Sequence, residues 1–381
     1  MIIELTITAA GLAAAGVAAE LLARGRLARQ GHVFVHRPHS RRRFQVSRDA
    51  LPAMPSTVRF ESNADGERAG PVPTDPESTL RVLVAGGSAA ECYMLDQDVT
   101  WPARLEAQLR DDPRIARPVH VGNVARSLIA CRQIEAVLAA ALPRFRSLDV
   151  IVLMVGASDL VSWFEARTPP GISRDDVDVT RYCEEHPFGP FQWTPKGSAL
   201  YRVARRFLAR LRGEEPLRRD VGASIVKHRA MRARATTILH ETPDPSPLLR
   251  SFEDDLRALV GTCLRHAPRV VVARQPWLDR DFTPAEETRL WNFGQGSPYR
   301  GELDTYYAMD LVRALMTRLD EVAARVAIEE GVEEVELRSA VPSDFEHYYD
   351  FLHFTPAGAQ RVAAALAPVI AAGNEEARAG S

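Results

Sequence analysis

The 381-residue sequence predicts a flavodoxin-like three-layer α/β/α sandwich built on a mainly five-stranded parallel sheet. Two observations predict it. Five short segments rich in Val, Ile and Leu have the composition of strands that are buried on both faces, and helical patterns separate them. Such alternation is typical of a parallel sheet with right-handed crossovers. With 46% hydrophobic residues, a chain of this length can bury the core that the sheet needs.

The strands and helices alternate along the chain. Strands are predicted over residues 81–85, 118–121, 149–155, 269–273 and 332–337. Helices are predicted over residues 101–111, 129–143, 247–266, 304–329 and 356–372. The start of the last helix has the clearest marker, because Thr355 is a suitable N-cap and Pro356 suits the first helical position.

The sheet and its helices belong to a predicted domain over residues 80–375, and two segments differ from it in composition. Residues 25–79 are rich in Arg, Pro, Ser and Asp, and we interpret them as an irregular lead-in. More than one hundred residues separate the third and fourth strands, far more than a crossover needs. We interpret about 165–245 as an insertion or lid near the site; its loop-like first part contains Trp193.

Residues 1–24 are predicted to form an apolar N-terminal helix. The apolar run over 5–23 is about as long as a membrane span, but Ala and Gly dominate it. Two interpretations are open. If the run spans a membrane, the arginines that follow it place the domain on the cytoplasmic side. Otherwise the helix packs on the domain or on a partner. No Lys or Arg precedes the run, which argues against a secretory signal.

The 48 basic and 50 acidic residues nearly cancel, so no global field recruits nucleic acid. Residues 202–234 are a local exception, being strongly basic. They form either a solvated helical face with aliphatic residues turned inward or a patch for an anionic partner.

The four cysteines lie far apart, and no His/Cys cluster has the spacing of a zinc site. We therefore expect neither zinc nor a disulfide framework.

The predicted chemistry begins where the first core strand ends, in AGGSAAE. Ser88 follows two glycines that permit a tight turn, at the sheet edge where open α/β folds bind ligands. A serine hydroxyl becomes a useful nucleophile only when a base takes its proton. Near the C-terminus, YYDFLHFTPAGA presents Asp350 and His353 three residues apart. We predict a Ser88–His353–Asp350 triad in which Asp350 orients the imidazole.

In their order and position these elements resemble the SGNH (GDSL-type) hydrolase superfamily over residues 81–368. GGS (86–88) stands where that family has GDS, VGNVARSLIACRQ (121–133) is similar to its second block, and GASD (156–159) is similar to its GxND block. The resemblance implies an acyl-enzyme mechanism that needs no metal or cofactor. It also implies small acyl esters, often acetyl groups on carbohydrate, or lipid esters as substrates.

The resemblance further implies three oxyanion donors: the backbone N–H of Ser88, a backbone N–H in the second block and a side chain in the third. Leu128 occupies the family's glycine position in the second block, and Ser158 occupies its asparagine position. A backbone N–H survives the first change if the turn is kept, and a serine hydroxyl donates at shorter reach. Losing one donor costs roughly a hundred- to a thousandfold in rate. The alternative for Ser158 is to cap the next helix.

Five further residues are predicted to contact the substrate or shape its site. They are Gly87, Asn123, Asp159, Gln275 and Trp277. Structural roles are open for most of them: Asn123 as the residue that holds its turn, Asp159 as a helix cap, and Gln275 and Trp277 as core residues. His347, which we interpret as an exposed loop residue, receives no role.

Three functions are compatible with this pattern: a serine esterase, an acyltransferase on the same triad, and a non-catalytic scaffold that has lost oxyanion donors. Other sites fit less well. An α/β-hydrolase places its Asp and His on separate loops, and AGGSAAE lacks the GxGxxG of a dinucleotide site. We therefore predict a metal-independent serine esterase acting on carboxylic esters.

Overall fold

The computed structural model describes residues 2–29, 33–172, 176–184, 197–211 and 222–379. Its strands are β1 (Arg41–Gln45), β2 (Thr57–Glu61), β3 (Leu80–Gly86), β4 (Val119–Asn123), β5 (Val150–Met154), β6 (Thr237–Leu239), β7 (Arg269–Arg274), β8 (Thr305–Tyr307) and β9 (Glu333–Glu336). Five of them form one parallel sheet in the order β4-β3-β5-β7-β9. This is the flavodoxin-like order, which confirms the predicted fold class and all five predicted strands.

Helices enclose this sheet on both faces. They are α1 (Ile2–Arg29), α2 (Ser88–Glu91), α3 (Trp101–Asp111), α4 (Cys131–Ala141), α5 (Ala157–Glu165), α6 (Ala199–Leu211), α7 (Gly222–Ala233), α8 (Ser246–Leu264), α9 (Pro284–Glu287), α10 (Met309–Glu329) and α11 (Pro356–Ala379). In one layer α3 packs against α11, and in the other α8 contacts both α4 and α10. Every residue of β3 and β5 is buried, which explains their continuous apolar sequence.

The predicted helices over 304–329 and 129–143 are shorter in the structure, and the one over 356–372 is longer, ending at Ala379. The helix expected over 304–329 begins only at Met309, because Thr305–Tyr307 forms β8 and pairs in parallel with β6. Both tyrosines of β8 are buried, as suits aromatic residues in a strand. The helix expected over 129–143 ends at Ala141, and a 3-10 turn follows at Leu142–Arg144. Pro143 in that turn has no N–H with which to continue an α-helix.

The lead-in over 25–79 contains an antiparallel hairpin of β1 and β2. One face of the hairpin lies in the hydrophobic core, where Phe44, Val58 and Phe60 are buried. Alternation of buried and exposed residues along both strands is the pattern of a sheet with one solvated face. The lead-in is therefore part of the same core as the parallel sheet.

The N-terminal helix α1 is attached to the insertion by one buried carboxylate. Glu20 accepts hydrogen bonds from the backbone N–H groups of Ala199 and Leu200, at 2.7 and 3.0 Å, and so caps the start of α6. Although burial opposes the charge, these donors lower the pKa of Glu20 to about 2. Among the residues that the structure describes, no helix is long and apolar enough to cross a membrane.

The described part of the basic segment over 202–234 differs from the predicted solvated face with aliphatic residues turned inward. Aliphatic and aromatic residues of α6 are exposed, whereas two arginines of α7 point into the protein. Arg229 donates to the carbonyl of Arg289, and Arg232 donates to the carbonyls of Asn292 and Tyr307. These two arginines of α7 thus bind carbonyl groups instead of contributing to a surface patch. Trp193 lies outside the described residues.

Candidate active site

A cavity of about 510 Å³ opens at the carboxyl edge of the sheet, beyond the ends of β3 and β5. Ligands bind at such an edge where the strand order reverses, as it does between these two strands. Ser88, Leu128, Ser158 and His353 all line the cavity, so the structure brings together residues from four separate segments. Ser224 of the insertion also lines it, which places part of the predicted lid at the site.

Ser88, His353 and Asp350 form one continuous chain of hydrogen bonds. Ser88 Oγ lies 2.7 Å from His353 Nε2, and His353 Nδ1 lies 2.8 Å from Asp350 Oδ2. An ionised carboxylate only accepts hydrogen bonds, so Nδ1 carries the imidazole proton and Nε2 accepts from the serine hydroxyl. The arrangement has the connectivity of a nucleophile, a base and an orienting acid.

The Asp350 carboxylate is fully buried but well supplied with donors. Its Oδ1 accepts the backbone N–H groups of Leu352 and His353, each at 2.9 Å. Its Oδ2 accepts Trp291 Nε1 at 2.9 Å. Burial alone would raise the pKa of Asp350, but His353 and the backbone donors hold this pKa below its usual value. The carboxylate therefore stays charged at neutral pH and can stabilise an imidazolium.

The three residues predicted to supply oxyanion donors line the same cavity. Ser88 is the first residue of α2, so its backbone N–H has no acceptor within the helix. Leu128 has φ 64°, a left-handed conformation that favours glycine, so the glycine-type turn is kept in spite of the leucine side chain. Ser158 Oγ lies close to the turn before Ser88, since a Cβ built on Gly87 would be 2.7 Å from it. In the described part of the chain, the backbone N–H groups of Ser88 and Leu128 donate to no backbone carbonyl outside the helices and strands.

Glu91, which the sequence did not single out, joins two of these segments. It lies on α2 one turn after Ser88, and its carboxylate accepts the backbone N–H of Ser127 at 2.7 Å as well as the Ser127 hydroxyl. Burial raises the pKa of Glu91 in spite of these donors. By binding Ser127, Glu91 ties the segment that contains Leu128 to the helix that begins at Ser88. An acidic residue within the otherwise apolar AAECYML was the signal available in the sequence.

Two more residues, Arg68 and Asn123, hydrogen-bond to the backbone that follows Ser88. Arg68 of the lead-in is buried and donates to the carbonyls of Glu91, the last residue of α2, and of Cys92 and Leu95, which follow it. Asn123 donates to the carbonyl of Ala90 and accepts from the N–H of Ala125. Asn123 therefore holds the second-block turn and does not line the cavity, which favours the structural alternative for this residue.

Four other expected contacts are not brought into the cavity. Gly87 forms the turn before Ser88, and its place against Ser158 leaves no room for a Cβ. The Asp159 side chain points away from the cavity. It accepts the N–H of Cys131 at the start of α4, so it caps α4 and not α5, the helix to which it belongs. Gln275 and Trp277 are buried and do not line the cavity, and Arg338 covers the Trp277 ring. Core packing accounts for these last two residues.

His347 and Tyr349 flank the Asp350 segment in ways that the sequence did not indicate. His347 is buried and bonds to Asp344, so it is not the exposed residue that we expected. The Tyr349 ring stacks on the His353 ring, with 5.4 Å between centroids and 10° between planes. Stacking restricts the imidazole to the orientation that reaches Ser88.

The described residues contain no cluster of three or more His, Cys, Asp or Glu side chains able to hold a metal.

Sequence comparisons find no matching family model and no matching curated protein. Solved structures do match. The acetylxylan esterase Axe2 from Geobacillus stearothermophilus is 11% identical with a TM-score of 0.42, and the match covers 77% of this chain and 96% of that one. LAE5, an alpha/beta hydrolase enzyme from the metagenome of Lake Arreo, Spain, is 14% identical with a TM-score of 0.39, covering 78% and 96%. Similarity at this level identifies neither a family nor an activity.

Proposed function

We propose that this chain is a serine esterase that cleaves short-acyl carboxylic esters through an acyl-enzyme on Ser88. The observation that supports this most directly is the hydrogen-bonded chain from Ser88 Oγ through His353 to Asp350. A serine hydroxyl 2.7 Å from an imidazole nitrogen, at the wall of a cavity, is positioned for proton transfer and attack.

In the proposed mechanism Ser88 Oγ attacks the ester carbonyl carbon while its proton passes to His353 Nε2. The tetrahedral intermediate collapses, the carbon–oxygen bond to the alcohol breaks, and His353 returns the proton to the departing alcohol. Water then attacks the acyl-enzyme, with His353 again taking a proton, and the carboxylic acid leaves with Ser88 restored. Asp350 keeps its charge throughout and stabilises the imidazolium.

The oxyanion of the intermediate would accept hydrogen bonds from the N–H groups of Ser88 and Leu128 and from the Ser158 hydroxyl. The left-handed turn at Leu128 and the position of Ser158 beside Gly87 support this assignment. Donors that are already held in place need no reorganisation when charge develops. This disfavours the hypothesis of a non-catalytic scaffold, which was based on the apparent loss of two oxyanion donors.

A small niche beside Ser88 favours a short acyl group. It has a volume of about 10 Å³, room for roughly one water-sized group. Besides Ser88 and His353 its walls are mostly apolar, and they include Cys92, Met94 and Phe354. If the acyl group enters this niche, it has room for about the size of an acetyl methyl group, whereas a butyryl chain would have to displace the walls. We therefore infer that acetyl esters are the preferred substrates.

The large cavity is left for the alcohol part of the ester. Tyr93, Trp291 and Tyr299 offer aromatic faces there, and Glu165 and Ser162 offer polar groups. Aromatic faces combined with hydrogen-bonding groups suit a polar alcohol larger than the acyl group, such as an acylated carbohydrate. An acyltransferase would use the same residues and differ only in the acceptor that intercepts the acyl-enzyme.

The test is release of p-nitrophenol from its acetate by the purified full chain, beside the Ser88→Ala and His353→Ala variants. We expect turnover by the wild type and background rates from both variants. A fluorophosphonate probe should label the wild type at Ser88 and leave Ser88→Ala unlabelled. If all three proteins are equally inert and no serine is labelled, the esterase proposal fails. Adding a sugar or alkyl alcohol and analysing products for transferred acetyl distinguishes transfer from hydrolysis.

A further inference from the structure

Asn292 carries a polar side chain that the fold buries without satisfying it. The residue is 8% exposed, and its Oδ1 has no hydrogen-bond partner among the residues that the structure describes. Buried polar atoms nearly always have a partner, and one that lacks it costs stability. A leucine of similar size would avoid this cost. Packing therefore does not account for an amide at this position.

The position of Asn292 suggests what the amide is for. Asn292 lines the large cavity together with Ser88, and it directly follows Trp291, whose indole donates to Asp350. Other described residues also have buried side-chain atoms without a partner, but among them Asn292 alone lines this cavity. The unsatisfied amide thus lies in the wall of the site, next to the residue that contacts the catalytic acid.

The backbone that carries this amide is held on both sides. Arg232 Nη1 donates to the carbonyl of Asn292 at 2.9 Å, and the N–H of Tyr307 donates to the carbonyl of Phe293 at 2.9 Å. Rotation about the last side-chain bond of an asparagine is easy, so either Oδ1 or Nδ2 can turn toward a bound molecule. The amide is therefore presented from a fixed backbone.

We propose that the Asn292 carboxamide binds a free hydroxyl group on the alcohol part of the substrate, and so selects polyhydroxy alcohols. The inference rests on the esterase proposal and adds a residue that determines specificity. A hydroxyl that donates to Oδ1 supplies the partner that the folded chain lacks, while Nδ2 can donate to a second oxygen of the same molecule. An alcohol of the same shape without hydroxyls would leave the amide unpaired and would be disfavoured.

The experiment compares two acetate esters of similar shape. One is a methyl glucoside acetylated at its primary hydroxyl, and the other is cyclohexylmethyl acetate, which carries no hydroxyl. Release of acetic acid gives kcat/KM for each ester with the full-length wild type and with Asn292→Leu. We expect the variant to lower the ratio of the glucoside ester to the cyclohexylmethyl ester by about tenfold, equivalent to about 1.4 kcal/mol. Its melting temperature should equal or exceed that of the wild type, because no buried amide remains unpaired.

Tyr307→Phe is the matched control. The Tyr307 hydroxyl is also buried without a partner among the described residues, but Tyr307 does not line the cavity. This variant should keep the wild-type ratio of the two esters. The proposal is overturned if Asn292→Leu leaves the ratio unchanged, or if Tyr307→Phe lowers it equally. Asn292→Ala takes the place of the leucine variant if that variant does not fold.

Binding to an inactive chain separates this proposal from the esterase proposal. Ser88→Ala, with and without Asn292→Leu, is titrated with the acetylated glucoside by isothermal titration calorimetry. We expect the double variant to bind about tenfold more weakly. If the wild type hydrolyses no ester but binding still depends on Asn292, the esterase proposal alone fails. If the wild type hydrolyses both esters and the two titrated proteins bind equally, the role of Asn292 alone fails.

Discussion

Trp291 Nε1 donates a hydrogen bond to Asp350 Oδ2 at 2.9 Å, and so supplies a buried carboxylate with a donor from outside its own loop. The other donors to Asp350 come from His353 and from the backbone just after it. Trp291 also lines the cavity, so the side chain that orients the acid would contact a substrate bound there. This makes Trp291 a positioning residue of the proposed triad.

Trp291→Phe should lower kcat/KM by roughly ten- to a hundredfold, because a hydrogen bond to a charged group contributes about 1.5–3 kcal/mol. The reduction should be largest at low pH. Without the indole donor the pKa of Asp350 rises, so its carboxylate is more readily protonated and then no longer stabilises the His353 imidazolium. The measurement is the pH profile of p-nitrophenyl acetate hydrolysis. Trp163→Phe is the matched control, since Trp163 Nε1 bonds only to the carbonyl of Pro169. Equal losses in the two variants would mean that Trp291 acts through packing alone.

Ser158→Ala should reduce kcat by roughly a hundred- to a thousandfold with little change in KM, because an oxyanion donor acts mainly in the transition state. Steady-state kinetics on p-nitrophenyl acetate measure both constants. Ser162→Ala removes a hydroxyl one turn later in α5, in the same cavity, and with p-nitrophenyl acetate, which has no sugar for Ser162 to bind, should stay within about threefold of the wild type. A normal kcat for Ser158→Ala would assign this serine to the structure of α5.

Met94→Ala should relax the preference for acetyl esters by enlarging the niche beside Ser88. In the wild type we expect kcat/KM for the acetate to exceed that for the butyrate by about tenfold or more, since each methylene that does not fit is worth roughly 1–3 kcal/mol. The variant should lower this ratio by raising butyrate turnover. Val161→Ala, in the larger cavity only, should leave the ratio unchanged. A ratio that responds to Val161 instead would place the acyl group in the large cavity.

The fold class followed from sequence because parallel strands buried on both faces have a distinctive composition. β3 and β5 are entirely buried, so their apolar runs were unambiguous. β8 was missed because three residues, Thr305–Tyr307, stand directly before a long helical pattern and pair with a strand far away in the chain. Long-range pairing of this kind leaves no local periodicity to detect.

The site was only partly accessible to sequence reasoning. Ser88, Asp350 and His353 stand in a recognisable order, and their hydrogen bonds follow from the turn and the final loop that present them. Trp291 lies in a loop without a motif, so only the folded chain shows that its indole reaches Asp350. Gln275 and Trp277 were expected at the site because they end β7 at the correct edge, yet the chain there turns into the core. Position at a strand end does not determine which way a side chain points.

Asp159 illustrates how a cap can limit stability. Its Oδ1 accepts the N–H of Cys131 at 3.0 Å, while its Oδ2 is buried without a hydrogen-bond partner among the described residues. Burial, together with the charge of nearby Asp255, raises the pKa of Asp159 to about 7. A carboxyl whose pKa is higher in the folded than in the unfolded chain stabilises the fold at low pH. That contribution is lost as pH rises from the ordinary value of 3.8 through about 7.

Asp159→Asn should therefore be more stable than the wild type above neutral pH, by a margin that shrinks as the pH falls from about 7 to 3.8. The asparagine oxygen can still accept the N–H of Cys131, but no charge remains to be buried. We expect a gain of at least about 1 kcal/mol at about pH 8, or roughly 1 °C in Tm for a chain of this length, and only a small fraction of it at about pH 4. Thermal unfolding at both pH values measures this. Because Asp255 is the neighbouring charge, Asp255→Asn should also stabilise the fold above neutral pH, but by less. If Asp159→Asn is instead less stable than the wild type at both pH values, the hydrogen bond of the charged cap outweighs the cost of burying the charge.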